Sequence, residues 1–257
     1  MKLIPCFFFI FILSLPVFAQ KKVGGYTVGT WYTSRADSTV QFKLTQNLGE
    51  DCVMYVMETT LDATPAKVLV PIANYAKYTS MGMPRMYKSN LLHHTDQSSL
   101  SFGMGKQRRL RVSLSRAQTD IVQFSLNLPW IPDNHYTLLL STFHDLETKI
   151  IHVYWIQYDE KNYKRISGTW LLEVPSPYTK DFLEDIVFDT DTYPNSNEDI
   201  YGSWTLTPLA DNKTFVHYEN YADPGWLGRR FIDDVVKSTL EDMPKIIAII
   251  RNNLPKD

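Results

Sequence analysis

"IYGSWTLTPLADNKTFVHYENYADPG", residues 200–225, decides the fold of this chain. Apolar and aromatic residues recur at every second position on both sides of a polar turn, the pattern of a half-buried β-hairpin. Strands are therefore expected at 199–207 and 213–221. Asp223-Pro224-Gly225 ends the second strand, and the period then changes. From Arg229 to Asn253 the residues Phe231, Ile232, Val235, Val236, Leu240, Met243, Ile246, Ile247 and Ile250 form one broad apolar stripe, with Asp233, Asp234, Lys237, Glu241 and Lys245 opposite. That is a long amphipathic helix, and Pro244 is expected to bend it.

Working upstream, "STVQFKLTQ" (38–46) alternates and "CVMYVMETTLD" (52–62) is dense in β-branched, aromatic and Met residues, so both read as strands. Thr64 followed by Pro65 has the form of an N-cap with proline at the first helical position. Val68, Leu69, Ile72, Tyr75 and Ala76 follow at helical spacing, Pro71 should kink or shorten this helix, and "MGMPRM" (81–86) ends it. Further strands are expected at 87–94, 98–103, 108–115, 120–128, 136–143, 150–159 and 166–174. Nothing between them has the length of a helical crossover, so they pair antiparallel. The Pro-rich, acidic stretch 175–198 interrupts the run as a long loop. "ISGTWLL" (166–172) echoes "IYGSWTL" (200–206), which reads as two strands that each present a Trp, with Gly where another backbone or a ligand comes close. Strands with segregated helices make the fold class α+β.

The N-terminus "MKLIPCFFFIFILSLPVFAQ" carries an early Lys2, an apolar run from Phe7 to Val17 and the small-residue site Val17-Phe18-Ala19. This is the layout of a secretory signal peptide at 1–19, followed by a single domain at 20–257. The expected localisation is export, periplasmic or secreted. Without Lys2, 25 basic residues face 28 acidic ones, so no positive field attracts nucleic acid. Only Cys52 remains after cleavage, so an exported chain has no internal disulfide and relies on its core.

Three stretches resemble the START-like, or helix-grip, superfamily, which includes steroidogenic-acute-regulatory-related lipid transfer domains, Bet v 1-type allergens and polyketide cyclases. "DATPAKVLVPIANYAKYTSMGMP" looks like the family's first helical segment. "LPWIPDNHYTLLL" (128–140) is similar to its "PWP...RDyv" segment, with Asn134-His135 where an Arg-Asp pair is common. "GSWTLTPLADNKTFVHYENYADPGWLG" resembles its ending before the last helix, with Trp226 and Leu227 in place of the second glycine region. The resemblance implies a curved antiparallel sheet wrapped around a long C-terminal helix, with a tunnel between them for hydrophobic ligands.

Candidate ligand-binding residues are the strand aromatics Trp130, Tyr136, Tyr154, Trp170, Trp204 and Tyr218, whose faces supply apolar walls and whose tips supply hydrogen bonds. The competing reading of each is an ordinary core residue. No Gly-x-Ser-x-Gly appears, Cys52 lies on a predicted strand, and neighbours His93 and His94 point to opposite faces. No catalytic residue, metal site or cofactor is therefore assigned. Glu173, Glu219 or His217 would serve as an acid or base only if it faced the tunnel. "KQRRLR" (106–111) reads as a solvated hairpin that permits transient contact with a membrane surface. Asn212-Lys213-Thr214 would accept a glycan in a eukaryotic secretory pathway. The expectation is a monomeric carrier of a lipid, sterol or quinone. The alternative is a cyclase- or dehydratase-like enzyme, and a third reading is an interaction protein whose tunnel is filled by its own side chains.

Overall fold

The computed structural model describes residues 21–46, 53–97, 114–128, 131–157, 199–223 and 230–256. The order of elements is β1 (Lys22–Val23), β2 (Tyr26–Thr27), β3 (Tyr32–Thr33), β4 (Gln41–Gln46), β5 (Val53–Leu61), α1 (Pro65–Ala73), β6 (Met86–Gln97), β7 (Leu114–Leu128), β8 (Ile131–Asp145), β9 (Ile151–Gln157), β10 (Asp199–Pro208), β11 (Thr214–Asp223) and α2 (Ile232–Asn252), with a 3-10 turn at Tyr75–Lys77. The expected signal peptide, Cys52, Trp130, Trp170, "KQRRLR", the strands expected at 98–103 and 166–174 and the loop expected at 175–198 lie outside the described residues.

The hairpin of residues 199–223 joins the two halves of the sheet. Among the described residues the strand order is β3-β4-β5-β11-β10-β9-β8-β7-β6, so β10 and β11 insert between an N-terminal and a middle group of strands. Every pairing is antiparallel. The hairpin register runs from Asp199↔Asp223 to Pro208↔Thr214. Its turn places Asp211 and Asn212 at φ of 58° and 56°, a left-handed conformation these short polar side chains tolerate. Thr214, the sequon threonine, is buried and donates to the Ala63 carbonyl at 2.6 Å.

Side chains alternate across a strand, so the register assigns each residue to a face. Phe42, Met57, Tyr218, Trp204, Val153 and Thr142 share one face, together with Tyr55, Trp155, Leu140, Val122 and Tyr136. This inner face makes one core with Val236, Leu240, Met243, Ile247 and Ile250 of α2 and with Val68, Ile72 and Tyr75 around α1. The helical stripe read from the sequence is buried from Val236 to Ile250, whereas Phe231 at its start is 40% exposed; α2 begins at Ile232 rather than Arg229, and Pro244 is buried within it. Thr64 makes no side-chain cap bond, and α1 runs only two residues past Pro71 before the 3-10 turn.

Polar ties fix α2 along its length. At its start Asp233 accepts a hydrogen bond from Gly24 N at 2.7 Å. Gly24 has φ +58°, and a Cβ there would lie 3.0 Å from the Asp233 carbonyl and 3.1 Å from Val236, so both conformation and space demand glycine. In the middle, buried Asp242 pairs with Arg85 and accepts from Lys245 at 2.7 Å. Near its end Arg251 donates to Asp37 and to Thr39.

Gly202 occupies an inner-face position where a Cβ would overlap both the Trp155 ring and the Glu219 carbonyl. The indole lies over the glycine, covering backbone that would otherwise be bare. Gly202→Ala is expected to lower stability by about 1–3 kcal/mol, the range for overpacking, and Gly202→Ala with Trp155→Ala is expected to be less than additive. Denaturant unfolding of the two single variants and the double variant measures this; strict additivity contradicts the contact.

Asp37 carries a pH signature. Its burial pushes the pKa up, but hydrogen bonds from Thr39 and the Arg251 guanidinium outweigh that push and hold it below the ordinary 3.8. A depressed carboxyl contributes stability that is complete above its unfolded value and is lost as pH falls through the folded one. The stability–pH curve of Asp37→Asn should thus be shallower than wild type below pH 3.8. Identical acid limbs would show that the tie contributes nothing.

Candidate functional site

The inner face beneath α2 is built around an aromatic group. Tyr218 lies between two indoles, with ring centroids 4.4 Å from Trp204 and 5.6 Å from Trp155. Trp204 on β10 opposes Tyr218 on β11 directly, and Trp155 opposes Gly202, so the register brings residues from β9, β10 and β11 to one place. Burial pushes the Tyr218 hydroxyl well above its ordinary pKa, because the phenolate cannot be solvated there. Tyr136, on the same face of β8, is buried opposite Phe124. Phe124 in turn stacks on Tyr78 at 5.6 Å.

The far side of this face is polar. Asp120 on β7, only 1% exposed, accepts from Gln118 Nε2 at 2.7 Å and faces His94 Nδ1 of β6 at 2.6 Å. Thr142 on β8 shares their face. Tyr75 enters from the 3-10 turn after α1, which is anchored where Ser89 donates to the Tyr75 carbonyl and the Tyr78 hydroxyl donates to the Ile72 carbonyl. Tyr75 and Thr142 are 2% and 1% exposed, and their hydroxyls are close enough to interact with each other, but neither completes a hydrogen bond with any other group. A buried hydroxyl left unpaired costs about 1–3 kcal/mol. Burial foremost, with smaller contributions from Tyr78 and the Asp120 carboxylate, drives the Tyr75 pKa well upward, so it acts here as a neutral hydrogen-bonding group.

Of the aromatics expected to bind ligand, Trp204, Tyr218 and Tyr136 lie on the inner face, and the first two touch. Trp130 and Trp170 fall outside the described residues. Tyr154 instead sits on the opposite face, 46% exposed, beside His152 at 5.7 Å and Phe143 at 5.8 Å. Its neighbour Trp155 takes the inner position, because one residue along a strand reverses the face. His217 and Glu219 are also on the opposite face. There His217 Nδ1 meets Glu58 and its Nε2 meets Glu219, both at 2.9 Å, which ties β5 to β11. They cannot act on a ligand beneath α2. Glu173 lies outside the described residues. Tyr75, Thr142, Asp120 and His94 were not selected from the sequence. The available signal was Asp120, a carboxylate in phase with Val122 and Phe124 on an inward-facing strand.

Among the described residues, no group of three or more His, Cys, Asp or Glu is placed to hold a metal ion, and no helix is long and apolar enough to cross a membrane.

On the opposite face, burial holds the His152 imidazole below its ordinary 6.5, and Asp145 offsets only part of that effect. The folded chain therefore binds this proton less readily than the unfolded one, so stability falls as pH drops from 6.5 through the lowered value. An NMR titration should find a His152 midpoint below 6.5, and a midpoint above it would contradict the burial.

No family model and no curated protein sequence matches the chain. Solved structures do resemble it. A STAR-related lipid transfer protein fragment from Xanthomonas axonopodis superposes with a TM-score of 0.52 at 14% identity, over 87% of this chain and 98% of that one. Human StAR-related lipid transfer protein 5 gives 0.49 at 11% identity over 87% and 86%. The Zhui aromatase/cyclase from a Streptomyces species gives 0.39 at 13% over 78% and 93%. The antiparallel sheet, the C-terminal helix packed across its inner face and the superposition on the Xanthomonas fragment together establish that the chain has the START-like, helix-grip fold.

Proposed function

We propose that the chain is an exported, soluble binding or carrier protein for a hydrophobic small molecule of the lipid, sterol or quinone class, held between the sheet and α2. The observation that carries this reading is the inner face itself. It joins an aromatic wall, Trp155, Trp204 and Tyr218, to a polar end where the hydroxyls of Tyr75 and Thr142 lack partners beyond each other. Apolar walls with a few placed polar groups are what a hydrophobic ligand requires. The fold supports the same reading, since a solved protein that superposes on this chain is described as a lipid transfer protein. The apolar N-terminal stretch supports export.

A second reading is favoured by one observation. Asp120 beside His94 places a buried carboxylate against a half-exposed imidazole, an arrangement in which the carboxylate orients a general base. An enzyme of the cyclase or dehydratase type would use that pair as its acid and base groups.

Native mass spectrometry of the mature protein, purified without detergent and followed by organic extraction, tests the carrier reading. A discrete lipid-like mass in near-stoichiometric amount is expected. An empty protein that takes up no member of a panel of sterols, quinones and fatty acids would contradict it. Replacing Tyr218 with Leu should weaken uptake by about two- to tenfold, since an aromatic contact contributes about 0.5–1.5 kcal/mol beyond its area. Tyr154→Leu should leave uptake unchanged. Equal effects of the two variants would place the ligand elsewhere.

A further inference from the structure

The polar atoms of the inner face carry information about the ligand's head as well as its body. Tyr75 and Thr142 come from elements far apart in sequence, the turn after α1 and strand β8, and the fold brings their hydroxyls together. Both are buried, and beyond their contact with each other neither finds a hydrogen-bond partner, so the bonding capacity of the pair is not used up, which a native interior tolerates only where something else completes it. The Tyr75 ring is not free to turn away: it packs edge-on against Tyr78 at 5.6 Å, and its own carbonyl is held by Ser89. A hydroxyl donates one hydrogen bond and accepts others, so two adjacent hydroxyls suit a group that is itself a donor or an acceptor.

The surroundings decide the charge of that group. Asp120 lies on the same face, close enough to influence Tyr75 and already engaged by Gln118 and His94. An anionic head drawn into this dry corner would lose its hydration and meet a carboxylate.

Resting on the carrier reading above, we infer that Tyr75 and Thr142 form the head-group subsite of the ligand cavity, and that it accepts one neutral hydrogen-bonding group, an alcohol or a ketone. Asp120 disfavours a carboxylate, sulfate or phosphate there. The expected ligand is accordingly a largely apolar molecule with a single neutral oxygen at the buried end, rather than a fatty acid or a phospholipid inserted head first.

Competition against Nile red tests this with two carbon skeletons. One set comprises 1-hexadecanol, 2-hexadecanone, hexadecane and palmitate; the other comprises cholesterol, cholestane and cholesterol sulfate. In the skeleton that binds, wild type should favour the alcohol or ketone over both the hydrocarbon and the anion by tenfold or more, on the order expected for a site whose polar groups are otherwise left unpaired. Tyr75→Phe and Thr142→Val should each cut that preference by about tenfold and leave the hydrocarbon's affinity unchanged. Both substitutions remove an unpaired polar atom with little change of shape, and melting curves at or above wild type would confirm that they fold.

Binding of the hydrocarbon as tightly as the alcohol, or tightest binding of the anion, overturns the subsite while leaving the carrier reading intact. The same holds if the variants shift all probes equally, which would mark a structural role. Failure of wild type to bind Nile red or any probe overturns both.

Discussion

The structure depends on the apolar stripe of α2 lying against the inner face of the sheet. Val236, Leu240, Met243, Ile247 and Ile250 are buried there, and each such side chain contributes about 1.5–3 kcal/mol when removed from water. Their sum outweighs any one of the polar ties to Gly24, Arg85 or Asp37. Those ties do something different: they connect α2 to three separated parts of the chain and so determine how far along the sheet the helix sits. Hydrophobic burial is non-directional, and hydrogen bonds supply the register it lacks.

The same arrangement sets the chemistry of the proposed site. A helix laid across a sheet leaves the residues beneath it dry, so their chemistry is set by neighbours rather than by solvent. On the β9–β11 side those neighbours are rings, and Gly202 is what allows the Trp155 indole to come so close to the backbone. On the β6–β8 side they are Asp120, Thr142 and Tyr75, with the half-exposed His94 beside Asp120. The division of one face into an aromatic wall and a polar end is the physical basis of the carrier reading.

Much of the architecture was legible in the sequence. Alternation identified β10 and β11, and the nine-residue stripe from Phe231 to Ile250 identified α2, because both elements bury one side and expose the other. Face assignment was less legible. Tyr154 and Trp155 are adjacent aromatics on one strand, and only the pairing Gly202↔Trp155 settles which points inward. His217 and Glu219 were equally ambiguous until the register placed them with Glu58 on the opposite face. Tyr75 read simply as an apolar position at helical spacing. Its role depends on Thr142, 67 residues away in sequence, and no local pattern encodes that contact.

The central claim is that ligand lies between the sheet and α2, and photoaffinity labelling tests it most directly. A diazirine-bearing sterol or fatty alcohol would be irradiated with the protein and the adducts mapped by peptide mass spectrometry. Adducts are expected on inner-face peptides carrying Trp155, Trp204 or Tyr218 and on the α2 peptide carrying Met243 and Ile247. Labelling confined to the opposite face, around Tyr154 and His217, or to exposed apolar residues such as Trp31 and Leu91, would contradict it.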